Sequence, residues 1–112
     1  MSIRLKRLFD PYQVATSSGV KYTSPSSVRT RIDKLSFCNT SASSCWVSVW
    51  ILPTGGSAAD STAVTDEKAI APGQTWVDTN AIGLVMEPGD ELHLKAQTAT
   101  AVTAHASGTQ VS

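Results

Sequence analysis

The chain has 112 residues, with 41% hydrophobic and 16% charged side chains; it carries enough apolar material for one core and too few residues for a second. Nine Lys and Arg balance nine Asp and Glu, which excludes a protein-wide basic field for nucleic acid, and no apolar run reaches the length of a membrane span. Ser and Thr together make up 28 of the 112 residues, a composition that suits strands and exposed sheet faces better than helices. The charge is unevenly spread. Residues 1–34 hold seven cations and two carboxylates, net +5, and residues 35–112 hold two cations and seven carboxylates, net −5.

In chain order, Ile3 to Phe9 alternates apolar and basic residues, loses register at Leu8-Phe9, and meets a stop at Asp10-Pro11. Tyr12 to Ala15 and Val20 to Thr23 read as short extended pieces separated by a Ser-Gly turn. Residues 1–25 are therefore expected to form an extended N-terminal arm. With little apolar surface of its own, such an arm is mobile in a free subunit and ordered in an assembly. Residues 26–112 are the body. Val28, Thr30 and Ile32 share one face, whereas Leu35 and Phe37 fall on the opposite parity, so a β-bulge is expected at Asp33-Lys34. Asn39 to Ser44 reads as a hairpin loop. Cys45 to Leu52 is apolar on both faces, as in a central strand or one whose second face meets a partner.

Pro53 to Asp60 reads as a flexible connection and Ala63 to Ile70 as extended. Ala71-Pro72-Gly73-Gln74 has the type II turn pattern, Thr75 to Asp78 is a short strand, and Asn80 to Val85 is either a strand or one helical turn. Glu87-Pro88-Gly89-Asp90 repeats the Pro-Gly turn. Glu91 to Ala96 alternates cleanly with Leu92, Leu94 and Ala96 inward, and Thr100 to Ser107 alternates until Gly108 breaks it. The expected fold is all-β, a compact β-sandwich or jelly-roll-like barrel with an extended N-terminal arm.

The residues point away from catalysis. The chain has no Gly-x-Ser-x-Gly elbow, no phosphate loop and no dinucleotide fingerprint. His93 and His105 read as surface residues; their spacing would suit a metal pair only if they sat on adjacent strands. No metal and no cofactor is expected, and the chain is not expected to be an enzyme. Asn39-Thr40-Ser41 fits the glycosylation pattern, but such triplets are common by chance and no secretion is expected, so it is not read as a modification site. Cys38 and Cys45 flank a loop and are expected to be free thiols. Trp46 and Trp50 share parity, either as a sugar-stacking platform or as core and interface anchors, the latter fitting Leu52 on the same face.

Several stretches together resemble small virion proteins of tailed bacteriophages. They are Val28 to Leu35, Trp46 to Gly56, Ile70 to Gln74, Ile82 to Asp90, and the closing Ala99 to Ala104 with Ser107-Gly108. The likeness covers about residues 20–112 and rests on the order of strand, Gly-Gly loop, Pro-Gly turn, Pro-Gly-Asp turn and closing strand. In size and character it is nearest to head decoration proteins, also called cement or staple proteins. The resemblance implies a jelly roll on the outside of the major capsid lattice. Its partners would be the major capsid protein or other virion proteins, and itself as a homo-oligomer, dimer before trimer. It would reside in the virion, assembled in the host cytoplasm. Neck, collar or tail subunits and small receptor- or carbohydrate-binding modules are the alternatives. The residues expected to carry assembly contacts are Arg4, Leu5, Lys6, Arg7, Leu8 and Phe9 of the arm, the anchors Trp46 and Trp50, and the acidic Asp66, Glu67, Asp90 and Glu91 as partners for the arm's cations.

Overall fold

A computed structural model describes all 112 residues. Nine strands form two antiparallel sheets: β1 (Ile3–Gln13), β2 (Gly19–Thr23), β3 (Arg29–Asn39), β4 (Cys45–Leu52), β5 (Thr65–Ile70), β6 (Thr75–Val77), β7 (Val85–Met86), β8 (Glu91–Ala96) and β9 (Val102–Val111). The first sheet has the order β1-β9-β3-β6, with β7 also on β3, and the second has the order β2-β8-β4-β5. Successive strands mostly cross from one sheet to the other. The connections therefore build a double-sheet jelly roll rather than a stack of hairpins. The only helical element is one 3-10 turn, Asp60–Thr62.

The inner faces meet in a core whose largest members include Ile32, Leu35, Phe37, Met86 and Val102 from the first sheet and Val47, Val49, Leu92 and Leu94 from the second. Alternation decides membership: β8 turns Leu92, Leu94 and Ala96 inward, and β9 turns in Val102, Ala104 and Ala106. The small inward side chains of β9 leave room for Phe37 and Leu35 on β3, its neighbour.

The expected bulge in β3 is present. Ile32 pairs with Gly108 and Lys34 with Ser107, so Asp33 is the extra residue. The inward parity accordingly changes from Thr30 and Ile32 to Leu35, Phe37 and Asn39. Gly108 does not end β9; the strand continues to Val111. Its role is proximity, since a Cβ at this position would sit 2.5 Å from the Arg31 carbonyl oxygen and 3.3 Å from Leu8. Beyond it, inward polar side chains satisfy one another. Gln110 donates to the Tyr22 hydroxyl at 2.7 Å, Tyr22 and Ser24 each bond Thr30, and Ser24 donates to the Val28 carbonyl.

The extended arm is not observed. Residues 3–13 are strand β1, paired with β9 from Ile3↔Val111 to Gln13↔Thr103, and β2 pairs with β8. Leu8 and Phe9 are both buried, because a bulge between Arg7 and Phe9 lets adjacent residues turn into the core. Pro11 does not stop the strand. It lies at a second irregularity on an edge strand, where a missing N–H costs no ladder bond. The start of the chain looked like an arm because its two core residues sit side by side instead of alternating.

The Asn39–Ser44 segment is not a hairpin loop either. It carries the chain from β3 in one sheet to β4 in the other, around the buried Asn39 side chain. The Asn39 amide donates to the carbonyls of Ser43 and Ile70, and its oxygen accepts from the Ser41 N–H and hydroxyl. Cys38 and Cys45 are free, with Cys45 in the core and Cys38 on the opposite parity to the inward Phe37. The Pro53-to-Asp60 connection, expected to be flexible, folds over the outer face of β4. The Ala59 carbonyl accepts the Trp50 indole N–H at 2.9 Å, and Gly56 lies against Leu52.

Two outcomes follow from these contacts. Gly108→Ala should lower stability by about 2–4 kcal/mol, because the clash is with backbone rather than with a mobile side chain; denaturant unfolding would show a lower midpoint with an unchanged slope. Deleting residues 1–9 removes Leu8 and Phe9 from the core and uncovers most of β9. The truncated chain should lose its cooperative unfolding transition, as followed by near-ultraviolet circular dichroism.

Candidate assembly surface

The twelve residues expected to make assembly contacts divide into separate places. Arg4, Leu5, Lys6 and Arg7 lie together on the first half of β1, exposed at the edge of the first sheet. Leu8 and Phe9 do not belong with them, since both are core residues. Trp50 is 5% exposed beneath the 53–64 connection, which satisfies its indole, so it anchors that connection to the second sheet. Trp46 is half-buried on the outer side of the second sheet, with the Lys95 ammonium 5.6 Å from its ring centre. Trp76 stacks on Phe37 at 6.2 Å, so the three indoles form no shared exposed platform.

The acidic set also divides. Asp66 and Glu67 are exposed where β5 bulges at the edge of the second sheet, and Glu67 has φ of 50°. This edge is on the far side of the sandwich from β1, which neighbours β2. Asp90 and Glu91 are engaged within the fold. Asp90 accepts the Glu87 N–H at 2.9 Å and closes the Pro-Gly turn, and Glu91 accepts from His93 Nε2 at 3.0 Å. Both are partly buried and already have a partner within the fold, unlike the exposed Asp66 and Glu67. His93 and His105 lie in different sheets, so they do not form a pair, and no three His, Cys, Asp or Glu side chains converge as metal ligands.

What the structure brings together instead is the outer face of the first sheet. The ladders align Ile3 with Val111 and Arg29, and the next outward row is Leu5, Thr109, Arg31 and Val85. Leu5 is 87% exposed, Ile3 62% and Val85 52%, an unusual set of apolar side chains to leave in water on one face. Beside them, Arg7, Lys34 and His105 help line a shallow groove of about 640 Å³ over β1, β9 and β3. Ion pairs pin part of the surrounding charge: Arg29 to Glu87, Arg31 to Asp33 at 2.8 Å, and Arg7 to Asp10 at 3.0 Å. Each pair is exposed enough that its contribution is under about 1 kcal/mol. Of this surface, the sequence had indicated only Leu5 and the β1 cations. Val85 was hidden in an ambiguous segment, although the exposed alternation of Ile3 and Leu5 against Arg4 and Lys6 was its visible half.

At the centre of the face, the bulge presents Asp33 outward. The Thr109 hydroxyl donates to Asp33 at 2.7 Å and the Arg31 guanidinium at 2.8 Å. The Thr109 bond chiefly, with help from Arg31, holds the Asp33 carboxyl below the usual carboxylate range, against the opposing effect of partial burial.

No protein-family model and no curated protein sequence matches the chain. Among solved structures, its fold is similar to that of a chain in the structure of infectious bursal disease virus, Gx strain, with a TM-score of 0.59 and 11% sequence identity. The similarity covers 97% of this chain and 32% of the viral one, so the chain spans about a third of the length of the protein it matches. At this identity the likeness is one of fold.

The depressed Asp33 pKa gives a signed pH dependence. Its contribution is fully present above the unfolded-state value, near 3.8, and is lost as pH falls through the lower folded-state value. Asp33→Asn should therefore cost stability at neutral pH, and the difference from wild type should shrink below about pH 4. Urea unfolding across an acid pH series checks this; a difference that stays constant through the acid limb would contradict it.

Proposed function

We propose that the chain is a structural virion protein, a capsid decoration protein of a tailed phage that binds the outside of the major capsid lattice and stabilises it. The observation that supports this most is the conjunction of two features. Nearly the whole chain is one jelly roll of the kind found in a viral chain, and its first sheet leaves Ile3, Leu5 and Val85 exposed on one face, with the unpaired Arg4 and Lys6 on the other side of the same β1 edge. A subunit of this kind works without catalysis. Full burial of one such apolar side chain contributes roughly 1.5–3 kcal/mol, and a clamp that spans neighbouring capsid subunits makes its second contact at high effective concentration. The cations steer docking and confer salt sensitivity more than they add affinity. Capsid subunits and further copies of the chain are the partners in this reading, and the virion is its location.

The test is to purify particles that lack the chain, add it back, and count the copies bound. Saturable binding at a stoichiometry set by the capsid lattice, with raised resistance of the shell to heat, is the expected result. Stoichiometry set by a single vertex would instead place the chain at the neck or tail, and no binding to any particle would end the reading. Leu5→Asp leaves the core untouched and should weaken binding at least about tenfold, equivalent to about 1.4 kcal/mol.

A further inference from the structure

The four free sheet edges are not equivalent. β2 is five residues long with a register shift, β5 is bulged around Glu67, and β6 and β7 have three and two residues. Such edges pair poorly with an added strand. β1 differs: from Ile3 to Arg7 its register against β9 is unbroken. Ser2 and Ser112 exchange both backbone hydrogen bonds, so the bonded positions that follow are Arg4 and Lys6. The N–H and C=O groups of Ile3, Leu5 and Arg7 consequently point away from β9 toward open solvent.

Side chains on this edge state what should fill it. Ile3 and Leu5 are exposed on one face, and Arg4 and Lys6, neither in an ion pair, lie on the other. Seats exist on both sides. The outer groove touches Leu5 and Arg7, and a second one of about 490 Å³ is bounded by Arg4, Lys6, Tyr22 and Gln110. The same side chains disfavour pairing with a second copy. Setting Leu5 against Leu5 opposes Arg4 to Lys6 twice, and setting Ile3 against Leu5 opposes Arg4 to Arg4.

We infer that Ile3 to Arg7 is a strand-addition site that accepts an extended segment of a partner protein with alternating apolar and acidic residues. Main-chain bonds to Ile3, Leu5 and Arg7 supply affinity, and the acidic side chains answering Arg4 and Lys6 supply selectivity. The virion reading enters only in naming the partner as a neighbouring shell protein.

The test titrates the full chain with a capped peptide of alternating valine and glutamate, beside its valine-lysine counterpart, while amide hydrogen exchange is followed residue by residue. The acidic peptide should slow exchange at Ile3, Leu5 and Arg7 at least about tenfold, and the basic peptide should not. Arg4 and Lys6, already bonded to β9, should change little. Leu5→Pro removes the central outward donor and should abolish the protection while leaving the rest of the exchange pattern native. An arm independent of peptide affinity uses Lys6→Glu, which sets a carboxylate opposite Arg4 of a second copy in the Leu5-centred register. This variant should sediment as a larger species than wild type at equal concentration, and adding Leu5→Pro should reverse it. Equal protection by both peptides, protection elsewhere on the chain, or a Lys6→Glu variant that associates no more than wild type would overturn the proposal. None of these results depends on particles, so failure here would leave the virion reading to its own test.

Discussion

The extra residue that β3 carries opposite Gly108 decides which side chains this sandwich buries. On one side of Asp33 the even positions turn inward and meet Tyr22, Ser24 and Gln110 in a closed hydrogen-bonded group. On the other side the odd positions turn inward and deliver Leu35 and Phe37 to the apolar core, then Asn39 to the connection between sheets. Without the bulge, one half of β3 would present its apolar side chains to water. Gly108 is the matching half of the device, because the β3 backbone passes where any larger residue would hold a Cβ. The same bulge sends Asp33 outward to Thr109 and Arg31, so core packing and surface electrostatics share one local origin.

The parts of the fold that were legible were those in which a periodicity and a break in it coincide. The parity change between Ile32 and Leu35 announced the bulge, and the alternation of Leu92, Leu94 and Ala96 announced β8. Where two irregularities overlapped, the reading failed. Leu8 and Phe9 are adjacent, Pro11 follows closely, and the three together imitate a strand that stops, whereas on an edge strand each is tolerated. Gly108 misled in the opposite sense, since a glycine in a strand can mark close backbone approach as well as an end. Cys38 and Cys45 illustrate a different limit: sequence separation alone cannot distinguish a hairpin from an arch between sheets, and here their strands lie in separate layers.

The candidate surface was legible only in its β1 half, for a related reason. Ile3 and Leu5 are exposed on a paired strand, and sequence alternation says which residues share a face without saying whether that face is covered. β4 shows the complement. Trp50 and Leu52 sit on an outer face, yet the 53–64 connection folds down on them and leaves them 5% and 4% exposed. Loop 53–64 shields the second sheet, while the first sheet has no equivalent cover over Ile3, Leu5 and Val85. The molecule thus has two differently finished outer faces, one covered by its own chain and one that leaves apolar side chains in water.

Finally, β9 is the only partner β1 has in its sheet, and Ser2 and Ser112 bond each other reciprocally at the far end of that ladder. During synthesis the first strand must wait, unpaired, until the last one has left the ribosome. At about 5–20 residues per second, that interval amounts to several seconds in which Leu8 and Phe9 have no sheet to join. The closing step of this fold is therefore a long-range one of the kind that makes β topologies slow. Once formed, the ladder works in the other direction: β1 cannot peel away without breaking its bonds to β9, so the strand made first is held by the one made last.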